Sequence, residues 1–117
     1  MSVFGHTLPK NERLSGRSAI DGLLREGRYI TSGCLRVCYK AGSTDVTRIM
    51  VSVPKKLFKR AVRRNAVKRR IREAYRLQKE LLQKPLDILF IYTATEILPS
   101  EVFFAAVGDA LKLLAAK

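Results

Sequence analysis

The 117-residue chain has little of what protein catalysts commonly use. It contains one histidine, His6, two cysteines, no tryptophan, and only ten carboxylates against 23 lysines and arginines. The carboxylates are scattered singly along the sequence, so no close acidic group is expected to hold two metal ions for phosphodiester cleavage. No glycine-rich phosphate-binding motif is present. We therefore expect no catalytic residue on the protein and no metal bound by the protein alone.

The two cysteines, Cys34 and Cys38, lie four residues apart in a predicted strand. At ~3.3 Å per residue their Cα atoms would be ~13 Å apart, which is beyond the reach of a disulfide. Two thiols and one histidine also fall short of the four ligands of a structural zinc site. We interpret both cysteines as small, reduced, sheet-facing residues.

Long apolar runs are missing as well. No stretch approaches the ~20 apolar residues of a membrane span, and the first residues, MSVFGHTLPKNERL, lack the apolar core of a secretory signal. We expect a cytoplasmic protein without a membrane partner. The length and the apolar fraction of 47% are typical of one folded domain, residues 1–117, in which residues 1–17 form an extended N-terminal arm.

Positive charge is abundant, and most of it lies in one segment. Residues 55–76, KKLFKRAVRRNAVKRRIREAYR, hold eleven basic residues and one acid, Glu73, and carry +10 of the net charge of +13. A helix stabilised by its own ion pairs would alternate charges, whereas Arg60/Arg64 and Arg64/Lys68 are like-charge pairs at i,i+4. Bound phosphate would relieve this repulsion, so the segment indicates nucleic-acid binding. A solvated face and a membrane surface are the alternatives.

Hydrophobic periodicity predicts a single-domain α/β sandwich of the α+β class, with the order α-β-β-α-β-α and three or four strands. Alternating residues predict strands at 34–40 and 47–53, paired as an antiparallel hairpin with one polar face. The nearly continuous apolar segment 86–92 predicts a strand that is covered on both faces or paired in parallel. The middle helix is a crossover if the strands at 47–53 and 86–92 are parallel.

Three helices are predicted around these strands. The first has Ser18 as its N-cap and ends at Gly27, and the last has Ser100 as its N-cap. The middle helix begins near residues 59–62 and continues to about Gln83. The residues predicted to face the core are Val67, Ile71, Ala74, Gln78, Leu81 and Leu82 in the middle helix, and Phe103, Val107, Ala110, Leu111 and Leu114 in the last.

The opposite side of the middle helix is polar. On a helical wheel Asn65, Arg69, Arg72 and Arg76 lie directly opposite the apolar stripe, so the same helix packs inward and presents cations outward. Cations neutralise phosphates, and the Asn65 amide offers both a donor and an acceptor. The candidate nucleic-acid-binding residues are Lys55, Lys56, Lys59, Arg60, Arg63, Arg64, Asn65, Lys68, Arg69, Arg72 and Arg76.

The run SVPKKLFKRAVRRNAVKRRIREAYR resembles the signature of the bacterial ribonuclease P protein component, in which a strand ending in serine and two lysines precedes an Arg-Asn-Arg motif. The matching positions are Ser52, Lys55, Lys56, Arg64, Asn65, Lys68, Arg69, Arg70, Arg72, Glu73 and Ala74. Residues 23–30 and 86–92 are also similar to the family's first-helix ending and third strand.

The resemblance implies the protein subunit of a ribozyme that removes the 5′ leader from precursor tRNA, with Mg²⁺ at the RNA active centre. It implies a sandwich with a left-handed β-α-β crossover and one protein, monomeric when free, per catalytic RNA. It also implies a cleft between the first helix and the open sheet face that binds the precursor tRNA leader. The corresponding positions here are Ile20, Leu24, Cys34, Arg36 and Cys38.

Two positions depart from the family pattern. The second arginine of the motif is Ala66, whereas Arg63 adds a guanidinium one place before the motif. The cleft positions carry no aromatic residue for base stacking, so Arg36 would have to stack or contact phosphate instead. A structural rRNA-binding ribosomal protein of similar fold and a DNA-binding module with its basic helix in the major groove are the alternative functions.

Overall fold

The apolar pattern of the chain produces a four-stranded sheet with helices on both faces. A computed structural model describes residues 12–14, 16–42 and 44–117. The elements in chain order are α1 Arg17–Glu26, β1 Arg28–Ser32, β2 Leu35–Ala41, β3 Arg48–Ser52, α2 Ala61–Gln78, a 3₁₀ turn Lys79–Leu81, β4 Leu86–Tyr92 and α3 Ser100–Ala115. The predicted α+β class is confirmed, and the described residues contain one strand, β1, that the predicted order lacks.

Strand β1 escapes the sequence pattern because it is short and mostly exposed; only Ser32, among its five residues, is buried. It pairs with β2 through a two-residue turn at Gly33 and Cys34, in register from Arg28↔Tyr39 to Ser32↔Leu35. Gly33 has φ 54°, a left-handed conformation that a side chain would disfavour. The predicted strand at 34–40 therefore begins one residue later, and Cys34 belongs to the turn.

The sheet order is β1-β2-β4-β3. The predicted hairpin between β2 and β3 is wrong, because β4 lies between them and pairs antiparallel with β2 and parallel with β3. All residues of β4 except Ile91 are buried. An apolar strand of this kind is most stable when it pairs with a strand on each side and when both of its faces are covered. The parallel pairing makes β3-α2-β4 a crossover.

The two faces of the sheet carry different helices. Helices α2 and α3 cover one face and form the main core, in which Val37, Ile88, Phe90, Ile71 and Leu111 are fully buried. Helix α1 covers part of the other face, where Leu23 packs against Cys38 and Leu89 in a smaller cluster. The sheet therefore leaves an open strip beside α1.

The ends of the helices differ in detail from the predictions. Gly16 and Pro99 hold the N-cap positions predicted for Ser18 and Ser100, and neither helix has a side-chain cap. Helix α2 becomes 3₁₀ after Gln78, so Leu81 is partly exposed instead of buried. The other core predictions for α2 and α3 are confirmed, with Tyr75 as an additional buried residue.

Gly27 ends α1, as predicted, but for a packing reason. Its amide donates to the carbonyl of Leu23 at 2.7 Å with φ −74°, so no left-handed conformation is required. A Cβ at this position would overlap the Leu23 carbonyl and the Cys38 side chain. The glycine therefore allows the chain to pass closely over β2 as it enters β1.

The predicted N-terminal arm lies largely outside the described residues. Its last part runs beside β3: the Leu14 amide donates to the Ile49 carbonyl at 2.8 Å, and Leu14 is buried. Lys79 pairs with Glu12 at 3.0 Å, which joins this part of the arm to the end of α2.

Candidate nucleic-acid interface

The basic surface begins in the loop between β3 and α2. Val53 and Phe58 are buried and attach this loop to the core, and the Leu57 amide donates to the Pro54 carbonyl at 3.0 Å. Between these apolar anchors the chain exposes its cations, namely Lys55, Lys56, Lys59 and Arg60. The loop therefore has a defined backbone path, and its lysines point into solvent.

Arg64 holds the start of α2. Its Nη1 donates to the backbone carbonyls of Phe58 at 2.8 Å and Lys59 at 2.9 Å. The Arg60 carbonyl accepts hydrogen bonds from the amides of Arg63 and Arg64, and these bonds form the first turn of the helix. Arg64 was predicted to bind RNA, and the structure gives its guanidinium a further role in shaping the loop that carries the lysines.

The outward face of α2 matches the helical wheel. Asn65, Arg69 and Arg72 are exposed on one side, while Val67 and Ile71 are fully buried on the other. Lys68 is half-buried beside this face. A single rigid helix thus places two guanidinium groups and one amide along one surface, at a spacing that backbone phosphates can meet.

Other cations of the segment are held by the fold itself. Arg76 makes a bidentate pair with Glu73 at 2.6 and 2.9 Å, and Arg70 donates to the Leu98 carbonyl at 2.6 Å. Arg63 lies over the Phe58 ring, with its Cζ 5.6 Å from the ring centroid. These contacts reduce the charge that Arg76 offers to a partner, and they give Arg63 and Arg70 a place in the packing.

Arg72 has a second cation near it. Partial shielding from solvent lowers the pKa of Arg72, and the nearby charge of Arg13 lowers it further. An anion close to such a cation would favour its charged form. Arg13, from the segment before α1, thus lies near the outward face of α2.

The predicted leader cleft is only partly accessible. Cys38 is fully buried beneath α1, and its thiol donates to the Leu23 carbonyl at 3.3 Å. Cys34 is buried in the main core on the other side of the sheet, so the prediction that the two cysteines share a face is wrong. The reason is the turn at Cys34, which breaks the alternation. Burial raises the pKa of both thiols, and both are free.

The accessible part of this face consists of Leu24, Arg36 and a residue that the sequence prediction missed, Tyr29. Leu24 is 43% exposed and Tyr29 is 41% exposed, whereas Ile20 is half-buried. The Arg36 Cζ lies 4.4 Å from the centroid of the Tyr29 ring. The alternation of RYITS could have revealed Tyr29, because it pairs with Cys38 and therefore lies on the α1 side of the sheet.

The rest of the open face is partly neutralised by acids. Arg48 forms a two-point pair with Asp87 of β4, with both contacts at 3.3 Å and the carboxylate almost completely buried. Lys40 lies 3.5 Å from Glu26 of α1. The polar face was predicted from β2 and β3 alone, without an acid, and β4 and α1 supply the missing carboxylates. Arg36 is an exposed cation of β2 on this side, and its guanidinium lies over the Tyr29 ring.

Metal sites and membrane-spanning helices are both absent from the described residues. Within residues 12–14, 16–42 and 44–117, no group of three or more histidine, cysteine, aspartate or glutamate side chains is arranged to hold a metal ion. None of the helices in the described part of the chain is long and apolar enough to cross a membrane.

Comparison with known proteins agrees with this geometry. The sequence model of the Ribonuclease P family matches residues 8–114. The ribonuclease P protein component of Porphyromonas gingivalis is 42% identical over 113 residues, covering 94% of this chain and 76% of that protein. The corresponding protein of Chlorobaculum tepidum is 34% identical, covering 93% and 83%. The structure of the RNase P protein from Thermotoga maritima superposes with a TM-score of 0.78 at 26% identity, covering 87% of this chain and 96% of that one.

Proposed function

Because this chain belongs to the ribonuclease P protein family and is therefore a protein subunit of that tRNA-processing ribonucleoprotein, we propose that it binds the catalytic RNA through α2 and leaves hydrolysis to the RNA. The alternative prediction of a ribosomal protein is wrong. The observation that carries the proposal is the outward face of α2, where Asn65, Arg69 and Arg72 are exposed on a helix whose opposite side is fixed in the core.

The candidate nucleic-acid-binding residues have different roles in this proposal. Those without an assigned role in the fold make the RNA contacts, and they are the cations Lys55, Lys56, Lys59, Arg60, Lys68, Arg69 and Arg72 and the amide of Asn65. Arg64 both contacts RNA and fixes the loop, because only its Nη1 is used by the Phe58 and Lys59 carbonyls and a guanidinium has five N–H donors. Arg63 and Arg76 lie at the edge and contribute mainly long-range attraction.

The open strip beside α1 binds the single-stranded 5′ leader of precursor tRNA. The support is the pair of Tyr29 and Arg36, which offers an aromatic surface and a stacked cation on one exposed face. A base that stacks on an aromatic side chain gains ~1–3 kcal/mol whatever its identity. The proposed cleft therefore consists of Leu24, Tyr29 and Arg36, with Ile20 at its edge and the two cysteines beneath the surface.

Magnesium belongs to the RNA in this proposal. The family resemblance implies Mg²⁺ at the active centre, and the described residues offer no cluster of oxygen ligands that fits it. The protein's contribution is electrostatic: cations on α2 reduce repulsion between phosphates and so lower the magnesium concentration at which the RNA folds and binds precursor. One protein monomer per RNA, in the cytoplasm, completes the proposal.

Reconstitution tests this function. The protein is added to its cognate ribonuclease P RNA at low magnesium, and leader removal from a 5′-labelled precursor tRNA is followed. The wild-type protein should stimulate cleavage, and Arg69→Ala should require about tenfold more protein for the same rate. Lys112→Ala, which removes an exposed cation from α3, serves as the charge-matched control and should behave as wild type.

A second arm isolates the leader. Tyr29→Ala should weaken binding of a precursor with a long leader about tenfold, because a stacking surface is lost, and should leave binding of leaderless tRNA unchanged. No stimulation by the wild-type protein would refute the main proposal. Equal effects of Tyr29→Ala on both substrates would refute only the assignment of the leader cleft.

A further inference from the structure

A pocket of about 1100 Å³ lies between α2 and α3, at the edge of the basic surface. Its volume is slightly above the ~300–1,000 Å³ of sites for small organic ligands, so it has room for a nucleotide. The side chains that determine its chemistry are Asn65, Arg69, Arg72 and Leu77 of α2 and Glu101 and Phe104 of α3.

The pocket is held open by contacts between the two helices. At one end Arg70 donates to the Leu98 carbonyl at 2.6 Å. At the other end the buried Gln78 donates to the Phe104 carbonyl at 2.8 Å and to the Ala74 carbonyl at 3.1 Å. These contacts join α2 to Phe104 of α3 and to Leu98 in the loop just before α3, so they set the separation of the two helices along the stretch from Arg70 to Gln78.

The lining combines apolar surface with cations. Phe104 is 46% exposed and Leu77 is 50% exposed. Single exposed apolar residues are common on protein surfaces. These two, however, line the same pocket as Arg69 and Arg72. An exposed aromatic ring beside guanidinium groups matches the two parts of a nucleotide, the planar base and the anionic phosphate. The Glu101 carboxylate repels phosphate and can accept hydrogen bonds from the N–H groups of a base. It therefore favours an orientation with the base at the α3 side and the phosphate at the α2 side.

We propose that this pocket receives one unstacked nucleotide of the catalytic RNA, with its base against Phe104 and Leu77 and its phosphate on Arg69 and Arg72. The inference rests on the proposed function of α2. The catalytic RNA is favoured over the precursor leader because the pocket continues the outward face of α2, whereas the open strip near Tyr29 and Arg36 lies on the opposite side of the sheet. The pocket thus adds a shape-dependent contact to a surface that otherwise binds by charge.

The test compares three variants of the full-length protein with the cognate catalytic RNA at constant salt. Phe104→Ala should weaken binding and raise the Kd about tenfold. Phe104→Tyr keeps a stacking ring, so its Kd should stay within twofold of the wild-type value. Leu113→Ala is the matched control, because Leu113 is also 46% exposed on α3. It lies about two and a half turns after Phe104 and therefore on the opposite side of the helix. It should leave binding unchanged. Thermal unfolding of each variant confirms that the fold is retained.

Chemical probing of the RNA provides a readout that a loss of general affinity would not produce. At saturating protein, one nucleotide should be protected on its base by wild type and become reactive with Phe104→Ala, while the rest of the footprint persists. A Kd within twofold of wild type, or an unchanged reactivity pattern, would overturn the inference and leave the proposed function intact. Self-association through the pocket, seen as a dimer that Phe104→Ala dissociates, would also overturn it. Failure of wild type to bind the RNA would instead refute the proposed function.

Discussion

At the scale of single residues, the internal partners of each cation separate those that shape the fold from those that face outward. Arg70, Arg76 and Arg48 bond to a carbonyl or a carboxylate of the fold, whereas Arg69 and Arg72 are exposed on the outward face of α2. Alanine at position 66, where the family motif has arginine, is compatible with the structure. Position 66 is half-buried, so alanine fits the packing, and the neighbouring guanidinium of Arg63 lies on the Phe58 ring instead.

Tyr75 gives a prediction for the pH dependence of stability. It is 2% exposed beside Phe90, and burial, with a smaller contribution from Glu12, raises its pKa from 10.0 to about 12. Because the folded state holds the proton more tightly, the associated stability is complete below the unfolded pKa near 10 and is lost as pH rises through about 12. The loss should be about 2 kcal/mol.

The measurement is the free energy of unfolding in urea for wild type and Tyr75→Phe between about pH 9 and pH 12. All other side chains are the same in the two proteins, so their contributions cancel in the difference. The advantage of wild type over Tyr75→Phe should shrink by about 2 kcal/mol across this interval. A difference that stays constant with pH would show that Tyr75 ionises without cost in the folded protein.

At the scale of elements, helix α2 has two faces with separate roles and a start that depends on one side chain. Val67 and Ile71 bind the helix to the sheet, and the outward residues take no part in that packing. The loop before α2 carries four cations and is attached to the core by Val53 and Phe58. Arg64 adds a contact at the end of the loop by joining the carbonyls of Phe58 and Lys59 to the first turns of the helix.

Arg64→Ala should therefore lower stability as well as RNA binding. Two charge-assisted hydrogen bonds to backbone carbonyls are lost, which should reduce the free energy of unfolding by about 1 kcal/mol. Arg69→Ala, from the exposed face of the same helix, should change stability by less than about 0.5 kcal/mol while still weakening RNA binding. Urea unfolding measures both variants. Equal stability of Arg64→Ala and wild type would mean that the loop does not depend on this side chain.

At the scale of the whole molecule, the sheet separates two surfaces. Helices α2 and α3 cover one face and carry the basic surface, and α1 leaves a strip of the other face open near Tyr29 and Arg36. A net charge of +13 attracts any polyanion at long range. The basic surface and the open strip therefore have no side chain in common.

The salt dependence of RNA binding should report this division. Each phosphate contact releases counterions, and the logarithm of the binding constant falls with the logarithm of salt by ~0.7–0.9 per contact. Lys55→Ala together with Lys56→Ala should reduce that slope by about 1.5. Lys112→Ala, on the last turn of α3, should leave the slope unchanged. Filter binding at several potassium chloride concentrations measures it, and an unchanged slope in the double variant would remove the loop lysines from the interface.

Several features of the site were predictable from local pattern. The outward placement of Asn65, Arg69 and Arg72 follows from the 100° step of a helix whose buried stripe is apolar. Tyr29 was missed because β1 is short and exposed, and the apolar alternation that marks a half-buried strand is weak there. Cys34 was misplaced because it lies in a two-residue turn that breaks the alternation, whereas Cys38 lies on the predicted face and is covered there by α1.

The sequence by itself determined the concentration of charge in residues 55–76 and most of the core residues of α2 and α3, because these depend on residue type and on short-range periodicity, and it carried the signature run by which the family is identified. Tertiary structure alone decided that β4 separates β2 from β3, that Arg70 donates to the Leu98 carbonyl, and that α2 and α3 border a pocket at the edge of the basic surface. These outcomes depend on which distant segments meet, and that is set by the combined burial of all strands and helices, which no local pattern contains.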